Sequence, residues 1–320
     1  MSEVVLRADG LAKTFRLDFF RKPVEAVRNV SFEVNRGEVF GFLGPNGAGK
    51  TTTLKMLMGL VRPTRGRTEV LGRPVPNIEA QRRLGYLPES PYFYEYLTAE
   101  EFLDLVGALF DLPRAERRRR ADRLIARVGL EHARGRPLRK FSKGMLQRVG
   151  IAQALMGEPE LVVLDEPMTG LDPLGRKEIR DLILELKHEG RTVFFSTHIL
   201  PDVEMTCDRV AMIFAGQLRN VGPLTTLLSA RLLSTELALR AGAGGLPALP
   251  AGARQRQSPD GVLVELPEGS DVDAFLRAAL AAGASVLSVS PRKESLEDIF
   301  MREARVQTSD APAQVERRAS

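Results

Sequence analysis

The chain has 320 residues, 43% hydrophobic and 27% charged, which describes a globular protein with room for one large domain and a smaller companion. Its longest charge-free run, Ala278 to Pro291, is 14 residues, too short to cross a bilayer as a helix, and the opening "MSEVVLRADG" lacks a secretory apolar core. One cysteine, Cys207, excludes an internal disulfide framework and suits the cytosol, so membrane work would fall to another chain.

In chain order, "VVLRADGLAKTF" and "AVRNVSFEVNRGEVFGFLG" alternate apolar and polar residues, then become a continuous apolar run from Val39 to Leu43. That is strand grammar ending in a buried strand. Phe19 and Phe20 fall between the two strand patterns and read as a small local cluster, with a partner surface as the rival. "GPNGAGKT", residues 44 to 51, then fits the phosphate-loop template between a buried strand and the helical "TTTLKMLMGL". Glycines there let successive backbone N–H groups wrap phosphates, and the helix start adds a favourable dipole. Lys50 supplies a point charge to the phosphate oxygens, and the Thr51 hydroxyl suits Mg²⁺.

From Leu97 to Leu130 the pattern is helical and charged, with breakers at Pro113 and Gly129. "RAERRRRADR", 114 to 123, holds six arginines and reads as a solvated helix face with acids interspersed. Lipid headgroups, a membrane partner or nucleic acid are the alternatives; the lack of interleaved aromatics argues against single-stranded nucleic acid. "FSKGMLQR", 141 to 148, looks like a turn opening a helix, with Ser142 either a plain cap or part of a second anion site far from Lys50. "ELVVLDEP" is a buried strand that delivers Asp165 to the sheet's C-terminal edge, where it can hold Mg²⁺ through water. Glu166 follows, placed to polarise a water for attack on a γ-phosphate. The helix "GRKEIRDLILELKHEG" and the strand "RTVFFSTH" complete a strand–helix–strand order, which implies a parallel sheet with crossover helices.

After about Leu228, "RAGAGGLPALPAGARQRQSPDG" reads as a loop or linker. Strand-like "VLVELP", helix-like "DVDAFLRAALAAG" and strand-like "ASVLSVSP" form a small α+β domain, and "SLEDIFMREAR" adds a helix with Ser295 as N-cap. The residues from about Gln307 are polar and read as disordered. His132 and His188 have no suitably spaced ligands nearby, so no metal besides Mg²⁺ is expected, and Cys207 reads as a buried small apolar residue.

"FSKGMLQR", "LVVLDEP", "TGLDP" and "FFSTH" follow the phosphate loop in the order and spacing of an ABC-transporter ATPase domain, which residues 3 to 222 resemble. Ser142 precedes Asp165 by 23 positions and Asp165 precedes His198 by 33, both usual for that family. The resemblance implies a P-loop α/β domain over 1–228, a mixed sheet with a parallel core, with a helical subdomain at about 97–145. A small α+β domain over 229–305 and a disordered tail at 306–320 would follow.

ATP would lie on Gly44, Pro45, Asn46, Gly47, Ala48, Gly49, Lys50, Thr51 and Thr52, with Phe15 stacked on adenine. Thr51, Glu89 and Asp165 would hold Mg²⁺, Glu166 would act as base, and His198 would bind the γ-phosphate. The resemblance also answers the question of the second anion site. Ser142 and Gly144 would bind the γ-phosphate of ATP held by a second subunit, and Asp172 would couple the two sites.

Glu89 stands where the family usually has Gln, and "SKGM" where "SGGQ" is common. These variants and the tail resemble ATPases of the ABC-2 class. The implied protein is the ATPase subunit of a bacterial exporter, a homodimer or a heterodimer with a related ATPase. It would sit peripherally on the cytoplasmic side of the inner membrane through separate transmembrane permease subunits, with no nucleic acid partner. A soluble ABC-family switch, regulatory or associated with ribosomes or nucleic acid, is the alternative.

Overall fold

A computed structural model of the protein describes residues 3–16, 23–229, 232–242 and 245–310. Phe19 and Phe20, and residues 311–320 of the expected tail, lie outside the described residues. The chain divides into two compact units, Met1–Leu224 with Glu303–Ser320, and Thr225–Arg302.

In the first unit, β1 (Val4–Phe15) and β2 (Val24–Asn35) pair antiparallel, and β3 (Val39–Leu43) leads through the glycine loop into α1 (Lys50–Leu57). There follow β4 (Arg65–Val70), β5 (Arg73–Pro74), α2 (Ile78–Arg82) and β6 (Leu84–Leu87). The helical segment comprises α3 (Ala99–Leu109), α4 (Arg114–Arg127) and two short 3₁₀ turns, after which α5 (Lys143–Leu155) returns to the core. Then β7 (Leu161–Asp165), α6 (Pro173–His188), β8 (Thr192–Thr197), α7 (Leu200–Thr206), β9 (Arg209–Phe214) and β10 (Gln217–Pro223) complete the unit.

Two sheets result, one ordered β2-β1-β4-β5 and the other β10-β9-β3-β8-β7-β6. The second is parallel from β9 to β6, with only β10 antiparallel. Every residue of β3, β7 and β8 is buried, as a parallel sheet covered on both faces demands, and this is why those segments are unbroken apolar runs. Phe32, Phe40 and Phe194 stack with ring centroids 5.6–5.8 Å apart, which locks the antiparallel sheet onto the parallel one.

The helices begin and end where their residues require. Thr98 and Glu101 form a reciprocal capping box on α3, and Asp172 caps α6 ahead of Pro173. The arginine-rich α4 has its charge largely matched: among the described residues Arg117 pairs with Asp104, Arg119 and Arg120 with Glu116, and Arg123 with Glu158. Arg119 and Arg123 keep 75% and 58% of their side chains exposed in these pairs, as a solvated helix face does. At the N-terminal end of the parallel sheet, Glu160 bonds both Arg36 and Arg83, tying together the residues that precede β3, β6 and β7.

The remaining elements are α8 (Leu224–Ser229), β11 (Leu232–Arg240), β12 (Arg254–Ser258), β13 (Gly261–Pro267), α9 (Val272–Ala281), β14 (Ser285–Lys293) and α10 (Leu296–Asp310). The strands of the second unit form an antiparallel sheet ordered β12-β13-β11-β14, with Leu237, Leu239, Val264 and Leu266 packed on Phe275 and Ala279 of α9. β12 lies inside the stretch read as a linker. Its sequence "RQRQS" has no apolar face, so the periodicity that marks the other strands is missing. Ser295 caps α10 as expected, accepting from the Asp298 N–H at 3.1 Å, and that helix runs past 306 to Asp310.

Candidate functional site

The C-terminal ends of β3, β7 and β8 converge on one hollow of about 230 Å³, bordered by Asn46, Gly47, Gly49, Lys50, Glu89 and Glu166. This is room for phosphates rather than a whole nucleotide. Gly49 has φ +100°, and a Cβ there would meet the Ala26 carbonyl at 2.5 Å, so the loop's tight wrap needs glycine at this position. The Lys50 ammonium turns back under the loop, donating to the Gly44 carbonyl at 2.7 Å and the Pro45 carbonyl at 3.2 Å. It also lies 3.0 Å from Glu166 Oε1 in a buried ion pair.

The carboxylates owe their placement to parallel register. Asp165 of β7 sits opposite Ser196 of β8, and the Ser196 hydroxyl donates to Asp165 Oδ1 at 2.6 Å while accepting from the Glu166 N–H at 2.9 Å. Sequence reasoning passed over Ser196; the signal for it was a polar residue in an apolar strand, two positions before His198. Glu166 leaves the strand at φ 51°, a left-handed conformation that a non-glycine residue holds only when its surroundings fix it. Here Ser196, the Thr169 hydroxyl at 2.7 Å from Oε2 and His198 Nδ1 at 2.9 Å from the same oxygen do so.

These neighbours set the two acids apart. Burial pushes the Asp165 carboxyl above the usual range, against the hydroxyls of Ser196 and Thr51. Burial also acts to raise Glu166, but Thr169, Lys50 and His198 outweigh it and hold Glu166 low, so it stays ionised at neutral pH.

Asp165 Oδ2 is buried with no hydrogen-bond partner among the described residues. No group of three or more His, Cys, Asp or Glu among those residues is arranged to hold a metal ion by itself. A lone oriented carboxylate, the nearby Thr51 hydroxyl and Glu89 at the hollow's edge suit Mg²⁺, which takes few protein ligands and completes its shell with phosphate oxygens and water. They do not suit an all-protein metal cage.

Ser142, Gly144 and Asp172 do not join this group. They border a separate hollow of about 410 Å³ with Gly170 and Leu171, and it shares no bordering residue with the first. Ser142 caps α5, accepting from the Met145 N–H at 3.3 Å, and Asp172 Oδ1 accepts from the Gly175 N–H at 2.9 Å. Phe15 lies at the end of β1, with the Lys13 ammonium 5.1 Å from its ring centre.

Residues 27–169 match the family model described as ABC transporter. The chain is 45% identical over 299 residues, 92% of its length and 83% of the other's, to an ABC transporter ATP-binding protein of Synechocystis sp., sll0415. It belongs to the ABC transporter ATP-binding proteins. As an ABC ATPase the protein binds and hydrolyses ATP. It is also 42% identical over 206 residues, 63% of this chain and 66% of the relative, to the bacitracin transport ATP-binding protein BcrA of Bacillus licheniformis. Among solved structures, the dimeric post-hydrolysis ATP-binding cassette MJ0796 with ADP and Pi aligns with TM-score 0.64 at 25% identity, covering 68% of this chain and 98% of that one. No described helix of this ABC ATPase is long and apolar enough to cross a membrane.

Proposed function

We propose that the protein is the ATPase subunit of a bacterial ABC-2 type export system, driving separate transmembrane subunits through ATP-dependent closure of a dimer. The observation that carries this reading is the separation of two phosphate-binding features on one chain. Lys50, Thr51 and Glu166 border one hollow, with Asp165 buried next to Glu166, while Ser142 and Gly144 border another. Two copies placed head to tail would join the first hollow of each to the second of its partner, with one ATP in each joint. The dimeric MJ0796 cassette and the bacitracin-transport relative support the dimer and the export assignment. The "SKGM" and Glu89 variants support the ABC-2 class.

In the joint, the phosphate loop and Lys50 hold the β- and γ-phosphates, and Phe15 stacks on the base. Thr51, Asp165 and Glu89 would hold Mg²⁺, which would neutralise charge developing on the phosphate oxygens. Glu166 takes a proton from the attacking water, whose oxygen bonds to the γ-phosphorus as the bond to ADP breaks. His198 donates to the γ-phosphate and is already aligned through Glu166 Oε2 at 2.9 Å. Ser142 and the start of α5 bind the same γ-phosphate from the second copy, with Asp172 beside them at the joint. Loss of that phosphate removes the shared ligand and opens the dimer.

The permease would dock on the segment from Leu87 to Gly129, at the cytoplasmic face of the inner membrane. Tyr92, Tyr94 and Tyr96 stand there 86%, 57% and 80% exposed, an aromatic surface of the kind enriched at interfaces. Detergent pull-down of the tagged protein tests the reading. Recovery of a multispanning membrane protein is the expected result, and recovery of ribosomes or DNA instead would overturn it.

A further inference from the structure

Tyr86 is the residue the ATPase mechanism leaves without a task. It lies on β6 opposite Val163 of the parallel β7. Side chains alternate faces along a strand, so Tyr86 and Asp165, two positions beyond Val163, share one face of the sheet on adjacent strands. The Tyr86 hydroxyl is buried and has no hydrogen-bond partner among the described residues, and Asp165 Oδ2 is in the same condition. The Tyr86 hydroxyl also feels Asp165: burial first, then the charges of Asp165 and Glu89, push it well above its ordinary pKa.

An unpaired buried polar group costs about 1–3 kcal/mol, and two on one sheet face would be an expensive coincidence. A buried water with two or more polar partners removes both costs. We propose that Tyr86 is a positioning residue for Asp165: its hydroxyl and Asp165 Oδ2 share one bound water, which aims the carboxylate at Mg²⁺. Ser196 already fixes the other oxygen, Oδ1, at 2.6 Å, so the water bridge would leave the carboxylate no free rotation. Outer partners of this kind tune a metal site without touching the metal. The inference rests on the reading of Asp165 as a Mg²⁺ ligand, and its test separates the two.

The test is a Mg²⁺ titration of the full chain with a fluorescent ATP analogue, starting from EDTA, so that the readout is binding rather than turnover. For Tyr86→Phe the EDTA affinity stays the same, and the Mg²⁺ needed for half-maximal tightening rises about tenfold. The unfolding midpoint of the nucleotide-free Tyr86→Phe protein falls, because the bridge is lost. In Asp165→Asn, Mg²⁺-dependent tightening disappears. If Asp165→Asn behaves so while Tyr86→Phe titrates like the parent, or unfolds at a higher temperature as expected for removal of a bare hydroxyl, the Tyr86 assignment is wrong. If Asp165→Asn still tightens with Mg²⁺, the metal reading of Asp165 fails and the Tyr86 inference with it.

Discussion

The Lys50 ammonium and Glu166 Oε1 lie 3.0 Å apart, with only 6% and 5% of their side chains exposed. On the proposed reading, the cation that would hold the phosphates and the carboxylate that would activate the water neutralise each other in the free protein. ATP binding would then exchange a carboxylate for phosphate oxygens on Lys50, and that exchange would release Glu166 for chemistry. Each residue is therefore the resting partner of the other.

Removing either member has opposite consequences for binding. Glu166→Gln frees Lys50, so Mg-ATP affinity measured by calorimetry should rise, by about threefold to tenfold, as the cost of breaking the pair disappears. Turnover should fall at least about a hundredfold with the base gone. Lys50→Ala should weaken nucleotide binding and also destabilise the free protein by about 3 kcal/mol, because a buried carboxylate loses its cation. Unchanged ATP affinity in both variants would show that the pair does not gate binding.

Stability should respond to pH through a site at the other end of the sheet. Hydrogen bonds from Arg83, and then Arg36, hold the Glu160 carboxyl below the usual range against partial burial. A lowered folded pKa adds stability above the unfolded value, about 4.3, and that stability is lost as pH falls through the folded value. Glu160→Gln should therefore unfold earlier at pH 7, by up to about 1 kcal/mol for so exposed a network, and the gap should close as the pH falls through the folded value. Its ATP affinity should not change. A constant difference between pH 7 and pH 3 in thermal melts would contradict the assignment.

Docking at the tyrosines has a direct route to Ser142. The Leu138 and Arg139 N–H groups donate to Leu97 and Glu95 carbonyls at 2.8 and 3.0 Å, and the Arg139 guanidinium lies 5.4 Å from the centre of the Tyr96 ring. Movement of the 92–97 segment would thereby be passed to the turn that ends at Phe141. Tyr96→Ala with Arg139→Ala should leave the ATPase rate of the isolated subunit within about twofold, as surface changes away from the reacting groups do. Stimulation by the co-purified permease should be lost. Retained stimulation would remove this route.

Much of the first unit was legible because its chemistry and its burial coincide in sequence. The run Val39–Leu43 is read as a strand to the residue, and "ELVVLDEP" as a strand ending at Asp165, since a strand covered on both faces leaves an unbroken apolar signature. The glycine loop and "LDEP" were legible because phosphate binding admits few alternatives at those positions. Ser196 and Tyr86 were not, because their meaning lies in the register between strands that are distant in sequence. The Lys50–Glu166 pair was hidden for the same reason, and β12 because a polar edge strand carries no period to read.

Sedimentation of the Glu166→Gln protein, with and without Mg-ATP, tests the central claim most directly. The account predicts a shift from monomer to twice the monomer mass on adding Mg-ATP, reversed by EDTA and abolished by adding Ser142→Arg. A Glu166→Gln protein that binds Mg-ATP yet sediments as a monomer at every concentration, also beside its permease, would contradict it.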